Sequence, residues 1–340
     1  MYISASVYAA QSAHQPSLIR ELYGLGVDWL HYDCKDDLAV FNDIRLNRML
    51  APTMPADVHL ITSEPRKFVY DVIHAGVEYL TLQLEWLNGE TELPTFGKAR
   101  RGIAITSDTP VSAFAPYAEW ADFILFMTTT PGQSGGQFNV DTFQRIRTFT
   151  QLYPGKAVHV DGGITPDVAF VLRTLGVKAV VSGGYLVGTG NHQTVGRALL
   201  ELRRTWVDSA FPVRSCMIPL EHTPRVQQAN LELETLLRTI EEYNMGFACV
   251  IDEAGNLVGI STNADIRRGV LRNIRHLGAP KVQYFINSTP AAVAYANDTL
   301  ATLLKNLRTL PFPVLYLPVI EPNGRLVGSL TFNHLIRAEL

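Results

Sequence analysis

Residues 156–188 read KAVHVDGGITPDVAFVLRTLGVKAVVSGGYLVG. An apolar run ends in Asp161, Gly162 and Gly163; Thr165 and Pro166 then open a helical pattern, and a second apolar run from Ala179 ends in Ser182, Gly183 and Gly184. This is the pattern of a strand, a crossover helix and a parallel strand. In such units ligands bind at the carboxyl ends of the strands, where paired glycines let backbone N–H groups close on an anion because no Cβ intervenes. Two glycine pairs on neighbouring strand ends point to one phosphate. Asp161 would stand beside whatever carries that phosphate, so a phosphorylated small molecule is the first candidate ligand.

The same alternation extends back to the N-terminus. Short apolar runs predict strands at Tyr2 to Val7, Asp28 to Asp33, Ala56 to Leu60, Tyr79 to Leu84, Gly102 to Thr106, Phe123 to Met127, Ala157 to Asp161 and Ala179 to Ser182. Helical patterns fall at Pro16 to Tyr23, at Pro65 to Ala75 with Ser63 as the expected cap, at Asp141 to Leu152 and at Pro166 to Leu175. Eight parallel strands with helical crossovers close into a (β/α)8 TIM barrel. One crossover departs from the rule, because Trp86 to Arg101 carries Gly89, Pro94 and Gly97 and has little room for a helix. A last barrel helix is expected at roughly Gln193 to Val207, giving a first domain of residues 1–207 and a second of 210–340.

At 340 residues the chain is long enough for two domains with real cores, and 47% hydrophobic with 18% charged residues marks it as globular. A net charge of -3 with scattered Lys and Arg argues against a nucleic-acid partner. The chain lacks an apolar run of about 18 residues, and Gln11, His14, Gln15 and Arg20 interrupt any signal-peptide core, so no membrane partner and a cytoplasmic location are expected. Cys34, Cys216 and Cys249 are too dispersed for a disulfide framework or a metal-binding pair.

Period-two alternation points His31 and Asp33 the same way from the second strand; His59 ends the third and Asp161 the seventh. Two imidazoles and two carboxylates at one barrel mouth suit a divalent metal with nitrogen and oxygen ligands. Two carboxylates flanking a planar substrate could also exchange a proton on both faces of one carbon.

Four segments carry a family resemblance. His31-Tyr-Asp33-Cys-Lys-Asp36 resembles the HxDxMDG segment of ribulose-phosphate 3-epimerases, Asp57-Val-His59-Leu60 the DVHLM segment, the run from Met127 to Phe138 the MTVxPGxGGQxF loop, and Val160 to Gly163 the VDGG. The resemblance covers residues 1 to about 205. It implies that His31, Asp33, His59 and Asp161 bind zinc, iron(II) or manganese, and that Asp33 and Asp161 are the acid/base pair of a sugar-phosphate 3-epimerase. It further implies that Ser6 contacts the substrate and that Gly135, Gly136, Gly163, Gly183 and Gly184 form the phosphate cradle. The expected substrate is ribulose 5-phosphate/xylulose 5-phosphate-like, and the protein is expected to assemble as a homo-oligomer.

Several positions depart from that family. Lys35 and Leu60 stand where the family has methionines, and Gln83 where its fourth strand usually carries His. Lys35 would either stand close to Asp33 or turn outward to pair with Asp36 or Asp37. Asp33-Cys-Lys35 also resembles the start of the DxKxxD signature of orotidine and ketogulonate phosphate decarboxylases, but position 38 is Leu and the triplet lies on the second strand. A non-catalytic sugar-phosphate and nucleotide sensor, an isomerase and a decarboxylase are the alternatives to the epimerase.

After Asp208 an internal repeat begins. Cys249 to Thr262 parallels Pro318 to Thr331 at an offset of 69 residues, each copy reading as strand, turn and strand after a helix. This resembles a cystathionine-β-synthase (CBS) domain pair, in copies of about 210–275 and 276–340, and Gly259 to Arg268 is similar to the tail of arabinose 5-phosphate isomerases. The resemblance implies an adenine or cytidine nucleotide as effector, its ribose held by Thr262 and Asp265. His334 stands where the second copy would need the Asp, so one nucleotide site is expected.

Overall fold

The computed structural model describes residues 1–10, 16–132, 136–188, 194–204, 211–273, 281–290, 292–311 and 314–331. They divide into two compact units, Met1–Trp206 and Val207–Leu340.

In the first unit β1 (Tyr2–Ser6), β2 (Trp29–Cys34), β3 (Ala56–Leu60), β4 (Tyr79–Gln83), β5 (Arg100–Ile105), β6 (Phe123–Met127), β7 (Ala157–Asp161) and β8 (Ala179–Ser182) close a parallel barrel. Parallel strands covered on both faces read as continuous apolar runs, and every residue of β3 and β6 is buried. The register sets Ser6 beside His31, Asp33 beside His59 and Asp161 beside Met127, all at or near the carboxyl ends of their strands. Below them the interior is filled by rings: Trp29 stacks on Tyr79 and Phe123 on His159, both at 4.1 Å between centroids. Gly102 on β5 makes room for this layer, since a Cβ there would lie 2.2 Å from the Phe123 ring.

Around the barrel run α1 (Pro16–Gly24), α2 (Ala39–Leu50), α3 (Val69–Ala75), α4 (Thr142–Leu152), α5 (Pro166–Thr174) and α6 (Val195–Leu202). Thr165 caps α5 by accepting from the Val168 N–H, with Pro166 just inside, where its missing N–H costs no hydrogen bond. The third crossover differs from expectation. Its first turn, Pro65–Phe68, is a 3-10 segment without a side-chain cap; Thr62, and not Ser63, braces its start by accepting from the Glu64 N–H. The fourth crossover holds only a 3-10 turn at Leu84–Trp86, as its Gly and Pro residues predict. The fifth also lacks an α-helix among the described residues, which the sequence reading did not anticipate. Its Val111–Tyr117 segment is 3-10 and contains Pro116, whose missing N–H removes an interior helical bond.

The second unit contains two copies of one motif. In the first, β10 (Arg225–Gln227), α7 (Leu233–Tyr243), β11 (Phe247–Ile251) and β12 (Leu257–Thr262) are followed by α8 (Asn263–Asn273). The second copy has β13 (Ala294–Tyr295), α9 (Leu300–Arg308), β14 (Tyr316–Ile320) and β15 (Leu326–Thr331), with β9 (Ile218–Pro219) added at its sheet edge. Both hairpins shift register at the same place, between Val250 and Ile251 and between Val319 and Ile320. The two hairpin turns also bond to each other, Leu257 N–H to the Gly324 carbonyl and Leu326 N–H to the Gly255 carbonyl, both at 3.0 Å. Gly255 and Gly324 each take a positive φ at these turns, a conformation that costs glycine little.

Candidate active site

The four predicted ligands meet at the carboxyl ends of β2, β3 and β7. One ligand atom from each of His31, Asp33, His59 and Asp161 lies within 4.8 Å of the others. Parallel strand direction brings these ends to one face of the barrel, and alternation turns the side chains inward.

Each histidine is held by its far nitrogen. His31 Nδ1 donates to Asp57 Oδ2 at 2.9 Å, and the Ser4 hydroxyl donates to the same oxygen at 2.9 Å. His31 Nε2 is buried without a hydrogen-bond partner, 3.6 Å from Asp33 Oδ1 and 3.9 Å from Asp161 Oδ2. His59 turns the other way: Nε2 faces Gln83 Oε1 at 2.8 Å and Nδ1 faces Asp33 Oδ1 at 3.2 Å. An orphaned imidazole nitrogen, a second imidazole nitrogen and two carboxylates form an N/O donor set that fits a divalent ion of the zinc, iron(II) or manganese kind.

The electrostatics separate the two carboxylates. Burial disfavours the charge on Asp33, but the His31 and His59 imidazoles beside it outweigh that and hold the group well below the usual range. Asp161 is pushed up to about 6 by burial, with repulsion from Asp33 and Asp57 adding to it and the imidazoles opposing. Burial also opposes a charge on His31, yet Asp57 and Asp33 raise its pKa well above the ordinary value. Asp57 is lowered, burial being overcome by His31.

A cavity of about 270 Å3 opens beside both carboxylates and is lined by Ser6, Gly136, Gly163, Gly183 and Gly184 among others. Gly163 needs to be glycine, since its φ is +61° and a Cβ would lie 2.4 Å from the Phe138 nitrogen. Gly162, its neighbour in the first glycine pair, has the same need: at φ +108° a Cβ would meet the Thr129 hydroxyl at 2.4 Å. Gly183 is crowded by Ala9 and Ser6, whereas Gly184 faces open space. Gly135 lies outside the described residues.

Lys35 takes neither expected course in full. Its Nζ donates to the Gly132 carbonyl at 3.2 Å, no ion pair with Asp36 or Asp37 forms among the described residues, and its side chain lines a second cavity that Asp33 also borders. Sequence reasoning missed Asp57 and the contact of Gln83 with His59. Alternation could have found Asp57, which shares its side of β3 with His59.

In the second unit Thr262 and Asp265 meet where β12 runs into α8. Asp265 Oδ2 accepts from the Thr262 N–H at 3.0 Å and hydroxyl at 2.6 Å, and Oδ1 accepts from Arg268. Both border a cavity of about 470 Å3 that also meets Arg267, Asn287 and Tyr316. His334 lies outside the described residues.

The ribulose-phosphate 3 epimerase family model matches residues 2–187, more than half of the chain. The chain belongs to the ribulose-phosphate 3-epimerase family. Its class of activity is therefore carbohydrate epimerisation, an isomerase chemistry. The chloroplastic ribulose-5-phosphate-3-epimerase of Arabidopsis thaliana is 27% identical over 206 residues, covering 56% of this chain and 73% of the relative. The ribulose-phosphate 3-epimerase of Aquifex aeolicus is 27% identical over 190 residues, covering 52% and 85%. A CBS domain model matches residues 285–340, within the second repeat. The CBS-pair protein CBSX2 from Arabidopsis thaliana is similar to 38% of this chain over 94% of its own length, with 22% identity and a TM-score of 0.32. No helix among the described residues is long and apolar enough to cross a membrane.

Proposed function

We propose that the barrel, residues 1–207, is a sugar-phosphate 3-epimerase acting on ketose phosphates of the ribulose 5-phosphate/xylulose 5-phosphate kind by two-base proton transfer. The observation that carries this reading is the single cavity lined both by Asp33 and Asp161 and by glycines from the loops after β6, β7 and β8. Backbone N–H groups around Gly135, Gly136, Gly163, Gly183 and Gly184 would seat the phosphate, and Ser6 would contact the sugar. That anchor places a carbon next to the ketone between two carboxylates of unlike proton affinity.

Asp33, kept ionised by its imidazole neighbours, is the base that removes the proton from C3. Asp161, raised to about 6 by burial, holds the proton that is returned to the other face. In the reverse direction the two exchange roles. A carbon acid of this kind is too weak for a carboxylate unless negative charge on the neighbouring oxygens is stabilised. A divalent ion held by His31, Asp33, His59 and Asp161 would supply that Lewis acidity. Residues 210–340 would regulate the barrel, with Thr262 and Asp265 of the first repeat holding the ribose of an adenine or cytidine nucleotide.

The test is proton exchange in deuterated water across a panel of ketose phosphates, followed by NMR. The expected result is deuterium at C3 with formation of the C3 epimer from one or a few pentulose phosphates. Deuterium entering another carbon, or entering none across the panel, would overturn the assignment.

A further inference from the structure

A chain of hydrogen bonds leads outward from the site through β4. His59 Nε2 lies 2.8 Å from Gln83 Oε1, and Gln83 Nε2 donates to Glu85 Oε2 while facing the Ala104 carbonyl at 3.5 Å. Glu85 is itself anchored. Its other oxygen accepts from the Thr106 N–H at 2.9 Å, the Thr106 hydroxyl at 3.1 Å and the Thr109 hydroxyl.

A glutamine amide has one accepting end and one donating end. The two groups beyond Gln83, a carboxylate and a carbonyl, can only accept, so the NH2 must face them and Oε1 must face His59. Reversing the amide would set oxygen against oxygen at Glu85 and at Ala104. With an acceptor fixed at 2.8 Å, His59 has to carry a proton on Nε2. Only Nδ1, 3.2 Å from Asp33, is then free to exchange a proton for another electrophile. His31 has the opposite arrangement, because Asp57 fixes its proton on Nδ1 and leaves Nε2 toward the carboxylates.

We propose that Glu85, acting through Gln83, is a positioning residue that fixes the proton of His59 on Nε2 and so presents Nδ1 to the divalent ion. This rests on the ligand role proposed for His59. Gln83 gives the chain its polarity, since its amide accepts at one end and donates at the other. Loss of such an outer partner of a metal ligand typically lowers metal affinity about ten- to hundredfold.

The test uses the full chain labelled with 15N-histidine and freed of metal, with long-range proton–nitrogen NMR and the His59 signals assigned by their loss in His59→Asn. The wild type should show a protonated Nε2 on His59. Glu85→Gln lets the Gln83 amide reverse, and Gln83→Leu removes the acceptor while leaving the Thr106 and Thr109 bonds to Glu85. Both should populate the Nδ1-protonated tautomer and weaken Mn2+ binding about ten- to hundredfold by calorimetry. Thr109→Val, which loosens the same loop without touching Gln83, should change neither readout. A bare Nε2 in the wild type, or equal losses in Thr109→Val and Glu85→Gln, would overturn the proposal. Absence of Mn2+ binding by the wild type would overturn the ligand role of His59 instead, while the tautomer in the metal-free protein still decides the part played by Glu85.

Discussion

Asp33 and Asp161 are chemically the same group, and their surroundings make them different. Asp33 is buried beside two imidazoles that favour its charged form, whereas Asp161 is buried near two other carboxylates and is pushed up to about 6. Replacing either by Asn removes one proton-transfer group and leaves the glycine loops intact. Asp33→Asn and Asp161→Asn are each expected to lower epimerisation at least about a thousandfold, with the affinity for inorganic phosphate changed by less than about threefold. Near-normal turnover in either variant would remove that residue from the pair. Alternation along single strands made His31 and Asp33 legible in the sequence, and the DVHL segment did the same for His59. Asp57 and Gln83 were harder to see as parts of the site because their roles depend on which strands lie side by side. Gly162 is legible as half of the first anion-binding glycine pair, and only the approach of Thr129 shows why it must be glycine.

The strands were easier to read than the crossovers, for a physical reason. A barrel strand is buried on both faces and declares itself as an apolar run. A surface helix can bury polar groups if another element satisfies them. Helix α2 turns Asp43 and Asn47 inward, where the Tyr8 hydroxyl donates to Asp43 and Asn47 donates to the Tyr32 hydroxyl. Its apolar pattern is therefore broken, and the sequence reading passed over it. β7 carries the opposite hazard, a titratable ring inside the barrel. His159 is stacked on Phe123, and burial lowers its pKa to about 4. The unfolded chain, with an ordinary His pKa of about 6.5, binds that proton more readily than the folded one. Stability is therefore complete above about pH 6.5 and is lost as pH falls toward 4, by about 3 kcal/mol from this residue. His159→Leu cannot titrate, so its unfolding free energy should fall less between pH 7 and 4 than that of the wild type. Parallel pH profiles in urea unfolding would show that His159 makes no such contribution.

At the scale of the whole chain, the repeat was legible because its two copies share turn glycines and register. Gly255 and Gly324 sit at equivalent turns that bond to each other, and the register shifts recur at the same offset. The ligand capacity of the pair is less symmetric. Asp265 is placed by Thr262 and Arg268 at the edge of a cavity, while the second copy has His334 in the corresponding sequence position. A carboxylate can accept from both ribose hydroxyls, and its loss would leave them unpaired at a cost of about 1 to 3 kcal/mol, roughly ten- to hundredfold in affinity. One nucleotide per chain is expected by calorimetry, strongly weakened by Asp265→Ala and little changed by His334→Ala. A thermal-shift screen of adenine and cytidine nucleotides should find the ligand first, because binding only the folded state raises its stability by mass action. Regulation requires more than binding. If the nucleotide changes the affinity of the barrel for its sugar phosphate by some factor, the sugar phosphate must change nucleotide affinity by the same factor. Titrating each ligand in the presence and absence of the other measures both. Two sites per chain, or two affinities that ignore each other, would leave the pair without the regulatory role assigned to it.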